Sequence, residues 1–406
     1  MKILIAASEP HPHTGGKSTH VLALVDGLRA LGHEVKVVSE ADLHLPRRLL
    51  IRGSSFLVKR ALGPWGKDRA TLWQYQLKRH LLAVAIYRLL ERERFDVVSC
   101  QDVMAQNIIS NYPGTVRTIL TVHGDQTNEL VSAGALRRGS RAERWFLMEE
   151  KQGYCSADQI ITVDSRLRTH VLAVANGAVD YKRVQILYNF VNVECFRPAR
   201  PDDAAERYRW RLGADDLVIL CPRRLTAKNG VIYAVRAMVP LSERLGQYRS
   251  LVLLLAGDGP ERRNIEGLIR QYHLESSIRL LGNVPHDEMP SLYRTANVTL
   301  IPSVSSAGVV EATSIAALES MASGVPVIAS AIGGLAEIIT HRRTGFLVPE
   351  KAPLAIAEAI LLLIHDQKLR ERIVLKARQF VTEHHSHLVA AHTFLGLCSN
   401  DQRGGL

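Results

Sequence analysis

The sequence predicts two α/β domains, each a parallel sheet with helices on both faces. Three observations carry this. The chain has 406 residues, more than one hydrophobic core ordinarily serves. Short apolar runs alternate with stretches of helical period from the first residues onward, the pattern of strands joined by crossover helices. That alternation lapses near residue 191 and restarts near residue 218, after a stretch holding Pro198, Pro201 and mixed charges.

The elements follow in order. Residues 2–7 (KILIAA) read as a buried strand, residues 10–16 as a Pro/Gly loop, and residues 19–31 as a helix closed by Gly32. Further strands are expected at 34–38, 96–99, 117–122 and 159–163. In the second half come strand 218–221, helix 230–245, strand 251–256 and helix 261–273. Strands 278–281, 298–301 and 325–329 complete the second sheet, and residues 369–397 read as one amphipathic helix able to return to the first domain. The expected organisation is an N-terminal domain over 1–195, a C-terminal domain over 196–375 and a closing segment over 376–406. Doubly wound sheets bind ligands at the carboxyl ends of their strands. Two such domains would share a cleft lined by the loops after the strands.

Composition narrows the class. With 47% hydrophobic and 22% charged residues the chain is that of a soluble globular protein. MKILIAAS carries one positive charge and too short an apolar run for a signal peptide, and no stretch reaches the roughly 18 apolar residues of a membrane span. Five scattered cysteines, never spaced as CxxC, argue against a zinc site and for a reducing compartment. The expectation is a cytoplasmic protein, with peripheral attachment to the inner membrane face left open.

The charge is uneven. Residues 1–200 hold 28 Lys+Arg against 19 Asp+Glu, and residues 44–94 alone hold 12 against 3. Such a patch asks for an anionic partner without naming it. Residues 49–62 (LLIRGSSFLVKRAL) and 77–90 (LKRHLLAVAIYRLL) mix aliphatic stripes with Arg and Lys, as interfacial helices on an anionic membrane do. Helices packed on the first domain with their charges in water give the same pattern. Nucleic acid is disfavoured, because Phe56, Trp65, Trp73, Tyr75 and Tyr87 make no regular stacking platform.

The chemistry concentrates in residues 302–330 (PSVSSAGVVEATSIAALESMASGVPVIAS). Thr313 or Ser314 can cap a helix over 315–322, which Gly324 ends. Glu311 then precedes the helix and Glu319 lies in its second turn, with Cα atoms on the order of 10 Å apart. A nucleotide sugar would fit along it: sugar at Glu311, ribose at Glu319, diphosphate at the helix N-terminus near Thr313, Ser314 and Ile315. Carboxylates suit both outer positions because each accepts two hydroxyl hydrogen bonds.

The run EATSIAALESMASGVPVIASAIGGLAEII resembles the E-x7-E signature of family-4 retaining glycosyltransferases, although Ala312 stands where that family usually has Gly. CPRRLTAKNGV (221–231) resembles its Arg…Lys loop, which neutralises the donor diphosphate; Arg223 with Lys228 fits best, and Arg224 is open to the Arg role. LVLLLAGDGP, with Gly257, is similar to the family's GxGP turn, and LLGNVP, with Gly282, Asn283 and Val284, to a loop whose backbone meets the base. The likeness runs from about 218 to 348. In the first domain Gly15 and Gly16 resemble the glycine-rich acceptor-side loop, and His123 in TVHGD stands where the family has a His beside the donor sugar.

This resemblance implies the GT-B fold, two Rossmann-like domains facing a central cleft. It implies a retaining hexosyltransferase using a UDP- or GDP-sugar, with a glycan, glycolipid or other lipid-linked hydroxyl acceptor. It implies no cofactor. No Asp-x-Asp metal motif stands at a useful position, so transfer is expected to need no metal. Other classes fit less well. An epimerase of the same fold would want acid/base groups in place of the E-x7-E helix, and a non-catalytic sugar-nucleotide-binding scaffold would tolerate loss of Arg223, Lys228 or Glu311. A nicotinamide dehydrogenase would need GxGxxG after a first strand, and neither half has it.

Overall fold

The computed structural model describes residues 1–11, 15–43, 53, 66–245, 250–306 and 310–399. The stretch 49–62, expected as an interfacial helix, lies outside the described residues. The described residues divide into two compact units, Met1–Tyr188 with the chain from Ala390 to Ser399, and Asn189–Ser306 with Val310–Val389.

The first unit holds a six-stranded parallel sheet of β1 (Lys2–Ala6), β2 (Glu34–Val38), β3 (Val97–Cys100), β4 (Arg117–Val122), β5 (Gln159–Thr162) and β6 (Val184–Ile186). Their order is β2-β1-β3-β4-β5-β6, so the winding reverses between β1 and β3. Acidic residues just past three strand ends start the next helices. Asp102, Asp125 and Asp164 each accept a backbone N–H of the following first turn.

Residues 77–90 lie within the helix Lys67–Arg92. One stripe of it, including Tyr75, Leu82 and Ile86, is buried. Lys78 pairs with Glu40 at 2.8 Å, and Arg79 with Glu149 at 3.0 Å. Part of the basic charge thus holds this helix to its own unit. No helix among the described residues is long and apolar enough to cross a membrane.

The second unit holds β7 (Leu217–Cys221), β8 (Leu251–Ala256), β9 (Ile278–Gly282), β10 (Val298–Ile301), β11 (Val327–Ser330) and β12 (Phe346–Val348), ordered β12-β11-β10-β7-β8-β9. All pairs are parallel. β7 shows why its sequence is apolar without alternation. Leu217, Ile219 and Cys221 join one hydrophobic layer while Val218 and Leu220 join the other, so both faces are covered. The winding reverses between β7 and β10, which makes the loops after those two strands the place for a ligand.

One expected element differs. Residues 369–397 form two helices, Gln367–His384 and His387–Ser399, not one. The break at 385–386 comes from a distant partner: Val191 N–H donates to His385 O and His387 N–H to Val191 O, each at 2.9 Å. That backbone pairing removes two residues from the helical ladder.

Candidate active site

The loop after β7 begins with Arg223, and the loop after β10 carries Ser303 and Glu311. The structure brings them together at the switch point. Arg223 Nη2 donates to Glu311 Oε2 at 2.7 Å, to Asn229 Oδ1 at 2.6 Å and lies 3.1 Å from Ser303 Oγ, while Nη1 lies 3.3 Å from Ser314 Oγ. The two charged side chains are only 10% and 12% exposed, so the pair is held in a region of weakened screening. Asn229 in turn donates to Arg224 O at 2.7 Å, and Val304 N–H to Lys228 O at 2.8 Å, which ties the two loops into one piece. Lys228 is half-buried in a short turn (Ala227–Asn229) and forms no ion pair with a described residue; Arg224 is exposed.

Two glycine positions allow this construction. Gly257 has φ 151°, and a Cβ there would lie 2.3 Å from Arg223 O. Gly333 and Gly334 admit the Glu311–Thr313 backbone: a Cβ on Gly334 would lie 2.3 Å from Thr313 N, and Gly334 N–H donates to Glu311 O at 3.0 Å. Gly257 N–H donates to Gly282 O at 2.7 Å, so these two expected donor-binding glycines join the turns after β8 and β9. Beyond them Asn283 is exposed and Val284 half-buried.

The helix Ile315–Ala322 has the expected bounds, but neither Thr313 nor Ser314 caps it by its side chain. Both oxygens are engaged elsewhere. Thr313 Oγ1 accepts Asn189 N–H at 3.2 Å and Ser314 Oγ faces Arg223. The first turn of this helix therefore keeps its N–H groups without a side-chain cap. Ile315 is buried at its start.

Glu319, 5% exposed, is held by residues the sequence analysis passed over. Tyr293 Oη donates toward Glu319 Oε2 at 2.9 Å, with Ala316 O at 3.0 Å, and His286 Nε2 lies 3.4 Å from Oε1. Burial, then the adjacent carboxylate, raises the Tyr293 hydroxyl well above its ordinary pKa, so it remains a donor. The signal was available in LYRTANV, where a tyrosine fully buried in a short helix must place its hydroxyl on a partner.

In the first unit the predicted residues gather at the carboxyl end of its sheet. Gly15 precedes the helix Gly16–Ala30, and its carbonyl accepts Thr19 N–H at 3.1 Å. Lys17 lies 3.3 Å from Glu9 and 3.8 Å from Asp102. Burial alone would lower the Lys17 ammonium, but the Asp102 and Glu9 carboxylates outweigh it and raise its pKa. His123 follows β4. Its Nε2 meets Gln101 Oε1 at 2.9 Å, and Gln101 Nε2 donates to Ser99 Oγ at 2.9 Å, which orients the amide and places the His123 proton on Nε2. Burial, then His20 and Lys17, pushes His123 well below its ordinary pKa, so the ring is neutral.

Two residues beyond His123, Asp125 belongs to a group the sequence analysis did not foresee. His170 Nδ1 lies 3.3 Å from Asp125 Oδ2 and Nε2 lies 3.4 Å from Glu150 Oε2. Among the described residues these three alone come close enough together to share a cation. Each carboxylate faces a different ring nitrogen, which is the arrangement of an imidazolium clamped between two anions. Burial opposes that charge, but Glu150 and Asp125 prevail and raise the pKa of His170. The three residues come from separate helices and a loop, so no local spacing announces them.

Comparison with known proteins identifies the family and the fold. The family described as Glycosyl transferases group 1 matches residues 202–380, and that described as Glycosyltransferase Family 4 matches residues 14–195. An uncharacterized glycosyltransferase of Methanocaldococcus jannaschii is 31% identical over 392 residues, 95% of each chain. Among solved structures, Thermosynechococcus elongatus sucrose-phosphate synthase superposes with a TM-score of 0.71 at 21% identity, covering 98% of both chains. Anabaena HepE in complex with UDP-glucose also gives 0.71, at 15% identity, covering 98% of this chain and 100% of that one. The chain belongs to the group 1, family-4 glycosyltransferases, and is a transferase with the GT-B fold.

Proposed function

We propose that the protein is a retaining hexosyltransferase that takes its sugar from a UDP- or GDP-sugar and acts in the synthesis of a cell-surface polysaccharide or glycolipid. The observation that carries this is the Arg223 guanidinium, fixed by Asn229, Ser303, Ser314 and Glu311 beside an uncapped helix N-terminus at the switch point of the second unit. A diphosphate leaving group gains negative charge as the glycosidic bond breaks, and preorganised cations and N–H groups stabilise that charge.

In this reading Arg223 and Lys228 hold the diphosphate, with Arg224 at its edge, and Thr313, Ser314 and Ile315 offer the helix N-terminus. Glu319 accepts the ribose hydroxyls through Oε1, its other oxygen being held by Tyr293. Glu311 accepts hydroxyls of the sugar. The backbone of Gly282, Asn283 and Val284 meets the base, with Gly257 shaping the turn beside it. Neutral His123, its one N–H held by Gln101, offers Nδ1 as an acceptor to a sugar hydroxyl, and Gly15 and Gly16 leave room for the acceptor side. The acceptor oxygen bonds to the anomeric carbon on the face from which the diphosphate departs, and the departing phosphate oxygen takes the acceptor's proton. These groups do the work of a divalent metal, so transfer proceeds without one. HepE, solved with UDP-glucose, makes UDP the first base to try.

A thermal-shift series with UDP, GDP, ADP, CMP and NAD, with and without EDTA, tests the reading. A ligand at about 100 times its Kd adds about 2.7 kcal/mol of apparent stability. One nucleoside diphosphate is expected to stand out, unaffected by EDTA and without effect on Glu319→Ala. A shift only with NAD, or with no diphosphate, defeats the proposal.

A further inference from the structure

A cavity rimmed by arginines lies within the first unit. It has a volume of about 740 Å³ and is lined by Gly66, Asp68 and Arg69 on one side and Arg137 to Ala142 on the other. Two helices begin at it, Lys67–Arg92 with 26 residues and Arg141–Ser156 with 16. The positive ends of both macrodipoles meet there. Arg141 and Ala142 stand in a first turn, where backbone N–H groups have no intrahelical acceptor.

Of the four lining arginines, three form no ion pair with a described residue. Arg137 is paired, its N–H and Nε donating to the two oxygens of buried Asp68 at 2.9 and 3.0 Å, and this fixes the loop. Among the described residues Arg138 meets the neutral Asn128 Oδ1, at 3.4 Å, and no acid. Arg69 and Arg141, both exposed, form no ion pair with a described residue, and residues 44–65 contain no Asp or Glu. Ser140 caps Glu143 N–H at 3.1 Å, so the arginine loop is joined firmly to its helix. Three unpaired guanidinium groups around one cavity repel one another, and that cost is recovered when a polyvalent anion enters. Guanidinium forks and free N–H groups suit phosphate oxygens in particular.

We propose that this cavity binds a phosphate or diphosphate group, with Arg69, Arg138 and Arg141 as its ligands, and that the group belongs to the acceptor. Only the word acceptor rests on the transferase reading above; the anion site stands on the cavity itself. The phosphate could come from a soluble sugar phosphate or from a lipid headgroup, and two probes separate them. Inorganic pyrophosphate is titrated calorimetrically into the full chain in excess UDP. Co-sedimentation is measured with phosphatidylcholine vesicles containing phosphatidic acid. The variant combines Arg69→Gln, Arg138→Gln and Arg141→Gln, with exposed Arg372→Gln as the charge control.

Pyrophosphate binding weakened tenfold or more in the triple variant, but unchanged in Arg372→Gln, supports a soluble source. Loss confined to the vesicles supports a headgroup. Equal binding of both probes by wild type and triple variant, or binding of neither by wild type, overturns the site. The thermal shift with UDP is expected to be the same in all three proteins. Its absence would count against the donor reading and leave the arginine comparison intact.

Discussion

The two strand-end clusters solve the problem of buried charge differently. In the second unit the charges are held by many partners: Arg223 makes contacts with four side chains, and Glu319 is held by a tyrosine that burial keeps protonated. In the first unit titratable histidines stand beside the Lys17 ion pairs, with the pKa of His123 pushed down by burial and that of His170 raised by two carboxylates. The contrast teaches where sensitivity lies. Side-chain truncation should damage the second unit most, and pH should act mainly through the first.

The largest effect is expected from Arg223→Ala. It removes a fixed cation from the leaving group and leaves Glu311 unpaired at 12% exposure. Turnover, followed as release of nucleoside diphosphate from the sugar nucleotide, should fall by about 10²–10³-fold. A loss under tenfold would break the comparison.

A smaller effect tests the support of Glu319. Tyr293→Phe keeps the packing and deletes one hydrogen bond, so nucleotide affinity should weaken about fivefold to tenfold, measured by calorimetry. Unchanged affinity would mean that Glu319 is held well enough by His286 alone.

The smallest effect sharpens the pH side. His170 faces Asp125, Glu150, Arg166 and the ring of Tyr154. Its pKa is raised on folding, so its stabilisation is complete below the ordinary value of 6.5 and is lost as pH rises through the folded value. His123 works in the opposite sense. Its folded pKa is depressed, so folding weakens as pH falls below 6.5, where the unfolded chain takes a proton the folded ring refuses. His170→Gln should therefore cost about 1 kcal/mol near pH 6 and progressively less toward pH 9, read from urea unfolding. A cost that is flat with pH would show that His170 acts by packing alone.

What the sequence disclosed follows the same division. β7 was legible because both its faces are buried and its residues form an unbroken apolar run, and β10 because Thr299 alone interrupts one. The residues of the proposed donor site were legible as two local patterns, Arg223 with Lys228 after β7 and Glu311 with Glu319 around one helix. The support of that site was not: Tyr293 and Glu319 lie 26 residues apart, and nothing local couples Asn189 to Thr313, 124 residues away. The break at His385 escaped notice for the same reason, since no Gly or Pro marks it and only pairing with Val191 produces it. The arginine cavity joins residue 69 to residue 141, and composition showed its charge but not its shape.

The last helix has a consequence for how the molecule is made. From Ala390 on it belongs to the first unit, where Ala390, Ala391, Phe394 and Cys398 are buried and Arg117 donates to Leu397 O at 3.0 Å. A chain emerging from the ribosome can therefore close its second unit before its first, although the first is synthesised earlier. Until residues 390–399 arrive, the first unit lacks a segment whose apolar side chains are buried when the chain is complete, and an unfinished unit of this kind is where chaperones bind and aggregation begins.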